Sequence, residues 1–557
     1  MCSVKAKITF SMSGLYSIEV TPPPLGLEAA HATLFTSESL HFLHELISTF
    51  AEEVDRVLLL RVFRKVHLDL SGDLPSFLEE TTYMRSDPTW RVLPVPPRLQ
   101  KRHVDVGDLA PCDTKRFIDA LKSPAQGIQV DFDDGNCPTF YNQIKGIHNV
   151  VKAVHNQFSN VRISQGPVLM LRPRAWNMTE PNLMVKGKQA PGPLFDFGLI
   201  MFHCGKMLHE NESGPFFYLS KVESHVEARL WNKIFVWTQE KLSLPLGSIK
   251  ATVLIENILA AFEMEEILYE LREHSAGLNC GMWDYSASFV SKFGHRETFL
   301  LPDRSRYINM EAQFLHSYMD LLVQTCHRRG ALATSGMVAV LLPQDQHGVT
   351  YQTIMAAVNR QKLFEIKAGV DGFLVYDLDL IEPMQKLFQH HTDGDNQLQQ
   401  LRRDVIVTAV ELVTMPEGGV NYNGLKYNIT VVVLFFNAWL SGKGLFFYKG
   451  KVEDSATAEI SRSHVWQWIH HQVQLEDDRR TVNRSLVTEI TKEVMKELNT
   501  QCHSLRDKQR LQTAAQMFLE VVLMRRFPEF ITTYLSQDHT FLSCTGQAMA
   551  LGHQSNL

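Results

Sequence analysis

The stretch 265–285, EEILYELREHSAGLNCGMWDY, is where residue types and spacing first suggest chemistry. Read for local structure, it is a helix ending near His274, then a glycine-punctuated turn from Gly277 to Gly281. An acid flanked by aromatics, Asp284, follows. The glycines permit close approach of backbone to a ligand. After such a turn a hard cation could bind the Asp284 carboxylate while neighbouring N–H groups meet an anion. A tight structural turn would give the same spacing, and these residues alone do not choose between the two. Other chemistry-bearing side chains close short apolar runs: Asp133 and Asp134, Arg172, His203, Lys221 and Glu256. One carboxylate in such a place is normally a solvated surface residue, so the pattern counts for more than any member.

The elements that must position these groups are short buried strands alternating with amphipathic helices. Apolar and β-branched runs fall at 128–132, 168–171, 199–202, 216–219, 251–255, 278–283, 337–342 and 373–376. Helical candidates at 224–238, 261–273 and 310–327 lie between them. Eight buried runs, several with polar C-terminal ends, predict an α/β fold, a (β/α)₈ barrel of the TIM type, although 278–283 is a poor strand by composition. An open doubly wound sheet would alternate similarly, but no GxGxxG or P-loop sequence supports nucleotide binding there.

The remaining chain divides around that barrel. Residues 1–100 read as a mainly helical clasp and linker, with helical spacing over 37–63 and a Pro-rich segment at 91–98. The barrel is expected over 101–385 and a helical C-terminal unit over 386–545, with periodic segments at 404–414, 458–472, 485–498 and 507–526. Residues 546–557 read as a tail.

Composition narrows the class of function. Lys and Arg number 55 against 61 Asp and Glu, a net charge of −6 without single-sign runs, which argues against nucleic acid as the main partner. Eight scattered cysteines without a CxxC pair suit reduced thiols inside a cell. The most apolar stretch, 431–440, is too short to span a bilayer, so no membrane is expected.

GLNCGMWDY at 277–285 closely resembles the signature of A-type malate synthases, GLNxGxWDY. The likeness continues, in collinear order, through RPRAW at 172–176, GPFFYLSKVESHVEARLWN at 214–232, GSIKATVLIEN at 247–257 and TCHRRG at 325–330. It ends with EDSATAEISRSHVWQW at 453–468 and covers about residues 60–525. The resemblance implies a Mg²⁺-dependent condensation of acetyl-CoA with glyoxylate, followed by thioester hydrolysis to malate and CoA. It implies Glu256 and Asp284, 28 positions apart, as metal ligands. Backbone N–H groups of Gly281, Met282 and Trp283 would hold the glyoxylate carboxylate, Arg172 would stabilise an enolate, and Asp454 would be the base. Arg174 shares the parity of Arg172 and competes with it on residue grounds; the resemblance selects Arg172. Asp454 also suits a helix N-cap, but Ser455 and Thr457 could cap equally well, leaving Asp454 for chemistry.

Departures from the family pattern keep alternatives open. Met282 stands for a usual Arg, Ser286-Ala287 for a bulkier pair, Asp133 for a usual Glu and Tyr376-Asp377 for His-Pro. LFFYKGK at 445–451 replaces a Cys- and Pro-containing segment that approaches the acyl-CoA arm. A ligand-binding scaffold with impaired turnover, or a related condensing enzyme or lyase acting on another 2-oxo acid, remains in play. The terminal Ser555-Asn556-Leu557 resembles the Ser-Lys-Leu peroxisomal address, which implies an import receptor as partner and a peroxisomal, otherwise cytoplasmic, location. An ordinary frayed terminus reads the same way.

Overall fold

The computed structural model of the protein describes residues 8–12 and 16–538; Ser555-Asn556-Leu557 lies outside them. Eight parallel strands close into a barrel in strict chain order. They are β1 (Val104–Leu109), β2 (Gly127–Asp131), β3 (Val168–Arg172) and β4 (Phe216–Leu219), then β5 (Lys250–Ile255), β6 (Ser275–Cys280), β7 (Ala333–Val338) and β8 (Gly372–Val375). The ring closes where Phe373 to Val375 of β8 pair in register with Val104 to Val106 of β1. β1 to β6 and β8 are buried along their whole length, as parallel strands packed on both faces must be.

Two expectations about the strands are corrected. The apolar run at 199–202 lies inside the helix Gly192–Glu210, most of which is buried. Residues 192–201 of this helix are buried all round, so they show no polar period and their apolar run mimics a buried strand. Its place in the barrel belongs to β1, VDVGDL, whose two aspartates and glycine break the apolar signal. The expected turn from Gly277 to Gly281 is instead mostly strand β6. Gly277 adopts φ +119, and a Cβ there would lie 1.9 Å from the Leu332 carbonyl oxygen, so only glycine fits this strand pairing.

Helix α1 (Ser37–Ser71) clasps the barrel and runs past its expected end. Thr36 caps it by accepting from Ser39 N, and Gly72 ends it at φ 74. The C-terminal unit holds α2 (Tyr422–Trp439), α3 (Ser455–His470), α4 (Arg484–Asn499) and α5 (Leu505–Leu523). Of the expected helix at 404–414 only Ala409–Leu412 is helical. The stretch at 431–440 sits in α2, a buried central helix of this unit. The unit has a core of its own, in which Leu425, Ile429 and Phe436 meet Trp468, Ile490 and Phe518.

That unit is fastened over one side of the barrel mouth. Trp468 Nε1 donates to Leu301 O at 2.8 Å, Leu301 N donates to Gln467 Oε1 at 3.0 Å, and Gln467 Nε2 donates to Phe299 O at 2.7 Å. A hairpin, Phe446–Tyr448 with Lys451–Glu453, leads into α3. It is stitched to the loop after β7 by Leu341 N to Gly450 O and Val452 N to Ala339 O, both 2.9 Å.

Candidate active site

The C-terminal ends of the strands surround a cavity of about 110 Å³. By the same measure one water needs roughly 10–15 Å³, so there is room for a small acid and the end of an acyl arm. Its lining includes Arg172, Glu256, Gly281, Met282, Trp283, Asp284 and Asp454, the seven site residues that the family resemblance implies, whereas His203, also marked in the sequence, lies in the helix Gly192–Glu210 away from it. Arg172 is the last residue of β3, Glu256 follows β5, and Asp284 lies in the first turn of helix α6 (Met282–Phe293), directly after β6. Asp454 arrives from the C-terminal unit at the start of α3.

The acids converge. One oxygen each of Asp134, Glu256 and Asp284 lie within 4.8 Å of one another. Oxygens on opposite sides of a magnesium ion stand about 4.2 Å apart, so a small contraction would complete a cation cradle. Asp284 Oδ2 is buried and accepts no hydrogen bond, although Lys221 Nζ is 3.4 Å away. Burial pushes the Glu256 carboxyl up to about 7 against the pull of Lys221 and Arg172. Burial likewise holds Asp284 well above the usual carboxylate range, despite Lys221. At Asp134 burial raises and Lys221 and Arg172 lower, and the cations win. The buried oxygens of Glu256 and Asp284, short of positive charge, fit a hard divalent cation.

Gly281 has a use that its sequence context hid. A Cβ there would lie 2.8 Å from Glu256 Cβ and 2.9 Å from Glu256 Oε2, so the glycine lets the chain turn against the acid itself. The same residue precedes α6, whose first internal bond runs from Tyr285 N to Gly281 O. The earlier N–H groups of a helix have no partner within it and present partial positive charge to an anion.

Arg172 is fixed from several directions. Its Nε donates to Ser220 Oγ at 2.6 Å, one terminal nitrogen meets Asp131 Oδ2 at 3.3 Å, and the other bonds Asp134. Arg174 is spent elsewhere, on Asp196 at 2.8 Å and Glu180 at 2.9 Å, so the geometry separates the two arginines that residue type alone could not.

Asp454 corrects the reading of its surroundings. It is the N-cap of α3: Thr457 N donates to its Oδ1 at 2.9 Å, and its own N–H donates to Thr457 Oγ1 at 2.9 Å. Neither Ser455 nor Thr457 takes the cap; Ser455 Oγ instead donates to Asp134. Capping and cavity lining therefore coexist in one side chain, because a carboxylate has a second oxygen.

Several contributors were underweighted in the sequence. Lys221, left-handed at φ 52, donates from Nζ to Asp133 Oδ2 and Asp134 Oδ1, both at 2.8 Å, and from its backbone N to Glu256 Oε1 at 2.6 Å. Its place after a strand was the available signal. Asp133, one methylene shorter than the usual Glu, still reaches Lys221 and accepts from Ala175 N at 3.1 Å. Asp134 stood beside it in VDFDD with nothing to mark it as the cavity acid. Asp108, in the unrecognised β1, also lines the cavity. Tyr376 lies under Arg116, with Cζ 3.7 Å from the ring centroid, and its ring meets Phe447 edge-on at 5.8 Å. Two of the departing segments thus pack on each other.

A closed parallel barrel whose polar groups gather at the strand C-termini, with a second unit bringing a carboxylate over them, is the layout of a barrel enzyme. Comparison with known proteins makes this specific. Residues 168–415 match the family model "Malate synthase, TIM barrel domain" and residues 420–538 match "Malate synthase, C-terminal". The malate synthase of Myxococcus xanthus is 40% identical over 518 residues, covering 90% of this chain and 93% of that protein. The Dictyostelium discoideum malate synthase is 38% identical, with 90% and 94% covered. Malate synthase A of Escherichia coli is 34% identical, with 90% and 94% covered. A Haloferax volcanii malate synthase structure, a pyruvate/acetyl-CoA ternary complex, aligns at a TM-score of 0.43 and 13% identity over 74% of this chain and 98% of that one. The chain belongs to the malate synthase family.

Proposed function

We propose that the protein joins acetyl-CoA to glyoxylate and hydrolyses the resulting thioester to give malate and CoA. The observation that carries this is the meeting, in one cavity, of the Asp134–Glu256–Asp284 cradle, the fixed Arg172, the start of α6 and the carboxylate of Asp454. Glu256 and Asp284, with Asp134 as a third oxygen donor, would hold Mg²⁺. Bound there, the ion would supply Lewis acidity toward the aldehyde oxygen of glyoxylate. Backbone N–H groups of Gly281, Met282 and Trp283 receive the glyoxylate carboxylate. Asp454 takes a proton from the acetyl methyl group, and the C–H electron pair passes into the enolate. Arg172, unable to lose its charge, steadies the enolate oxygen in a site poor in water.

The family relatives include a protein named glyoxysomal malate synthase from Candida tropicalis, 34% identical with 93% of this chain covered. With Ser555-Asn556-Leu557 at the terminus, this supports a peroxisomal location through an import receptor. No helix among the described residues is long and apolar enough to cross a membrane. A fluorescent fusion should collect in peroxisomes and spread through the cytosol when those three residues are removed; unchanged punctate signal would refute the address.

Release of free CoA thiol from acetyl-CoA tests the reaction. Release should require both glyoxylate and Mg²⁺. Release with another 2-oxo acid and none with glyoxylate would replace the substrate, and no release from folded protein would leave only a binding scaffold.

A further inference from the structure

Asp108 lines the cavity but has no role in the reaction described so far, and its surroundings are unusual. It lies in β1, is buried, and holds φ +47, a left-handed conformation that few residues other than glycine adopt. Its backbone N–H donates to Gln129 Oε1 at 3.1 Å, which pins the turn of chain that aims the side chain inward. Its Oδ2 is buried and meets no donor. Asp108 and Asp454 line the same cavity, and their carboxyl groups act on each other side chain to side chain.

Two buried carboxyl groups facing each other cannot both ionise cheaply, and a single proton between them turns repulsion into a strong hydrogen bond. The surroundings decide which group carries it. Asp454 has the Thr457 N–H at the start of α3 to stabilise an anion. Asp108 faces Asp131 from β2, the Tyr376 phenol after β8 and Asp454, with Arg172 as the cation that lowers it most. Asp454 in turn feels Asp134 and Arg172. Burial and then Asp454 push the Asp108 carboxyl well above the usual range.

We propose that Asp108 is a positioning residue for the condensation: a carboxylic acid that donates its proton to Asp454 and so keeps that group an oriented carboxylate base. Without such a partner, burial beside Asp134 would favour protonating Asp454 itself, and a protonated acid cannot take a proton from a methyl group. With it, one Asp454 oxygen caps α3, and the hydrogen bond fixes the rotation of the carboxyl plane in the cavity. No proton is consumed, because the shared proton stays with the pair while the substrate proton passes to Asp454. This rests on the reading of Asp454 as the base.

The test compares the full-length Mg²⁺-loaded protein with Asp108→Asn, Asp108→Ala and Asp454→Asn, measuring kcat and both KM values from about pH 6 to about pH 9. Asp108→Ala removes the donor; kcat should fall about tenfold or more while both KM values stay within about twofold. Asp108→Asn keeps an N–H donor that cannot ionise. It should hold kcat within about threefold and lose the alkaline limb of the profile, where the native pair gives up its shared proton. Equal loss in the two Asp108 variants, or a loss seen only in KM, would overturn the proposal. Native kcat and pH profile in Asp108→Ala beside an inactive Asp454→Asn would also overturn it while leaving the base in place. An active Asp454→Asn would remove both readings together.

Discussion

Glu256 shows how the site stores a demand for a cation at the scale of one residue. In the folded chain without metal, burial pushes its pKa from 4.5 up to about 7. Between those values the unfolded state has already released a proton that the folded state still holds. Stability therefore falls as pH climbs through this window, by up to about 3 kcal/mol for that shift. A divalent cation on the cradle would offset the loss where Glu256 is ionised. The melting temperature should accordingly rise more on adding Mg²⁺ at pH about 8 than at pH about 6, and Glu256→Gln should flatten the difference. Thermal scans with and without Mg²⁺ check this; an equal gain at both pH values would contradict it.

At the scale of elements, the site depends on contacts that a strand-by-strand reading does not reveal. Arg61 of α1 donates to both carboxylate oxygens of Glu227 at 2.7 Å and to the Lys221 carbonyl at 2.7 Å. The N-terminal clasp thus holds the strained turn that supplies Lys221. Arg61→Ala would leave Glu227 buried without its partner, a loss of about 3–5 kcal/mol, and should lower activity as well. Chemical denaturation and the thiol assay read the two effects. The hairpin before Asp454 makes a different prediction, because Lys449 and Lys451 stand exposed on it and CoA is polyanionic. Neutralising both should raise the KM for acetyl-CoA about threefold, as exposed ion pairs are worth well under 1.4 kcal/mol each, and leave the KM for glyoxylate alone. The effect should fade with salt; an unchanged KM at low ionic strength would dissociate the hairpin from CoA.

What the sequence made legible follows from the same contacts. β3, β4 and β5 read correctly because buried parallel strands are continuous apolar runs with a polar terminus. β1 was missed because Asp105, Gly107 and Asp108 serve the barrel interior and cavity, and break that signature. β6 read both as a glycine-punctuated turn and as a poor strand, because Gly277 and Ser275 satisfy close strand packing instead of apolar burial. The seven named site residues could be placed through family motifs. Asp134, Lys221 and Asp108 depend on loop geometry and on contacts between distant strands, which spacing along one chain does not encode.

For the whole molecule, the central fact is that two cores share one cavity. The C-terminal unit has its own apolar interior, and its attachment over the barrel combines apolar contacts, with Ile460 and Trp466 of α3 packed into the barrel's core, with a set of polar ones. Gln467 makes two of them, accepting from Leu301 N and donating to Phe299 O. Gln467→Ala would leave both backbone groups buried and unpaired, at a cost of about 1–3 kcal/mol. Because it loosens the delivery of Asp454 and leaves the acid cradle intact, kcat should fall while Mg²⁺ affinity holds. Calorimetric Mg²⁺ titration beside steady-state kinetics checks the split.

The division of labour between those cores is tested most directly by Asp454→Asn. Metal and glyoxylate are assigned to the barrel and proton removal to the C-terminal unit, so the two properties should separate. The variant should bind Mg²⁺ and glyoxylate as the native protein does, yet release CoA thiol from acetyl-CoA about a hundredfold or more slowly. Native turnover in that variant, or loss of glyoxylate binding along with turnover, would contradict the assignment.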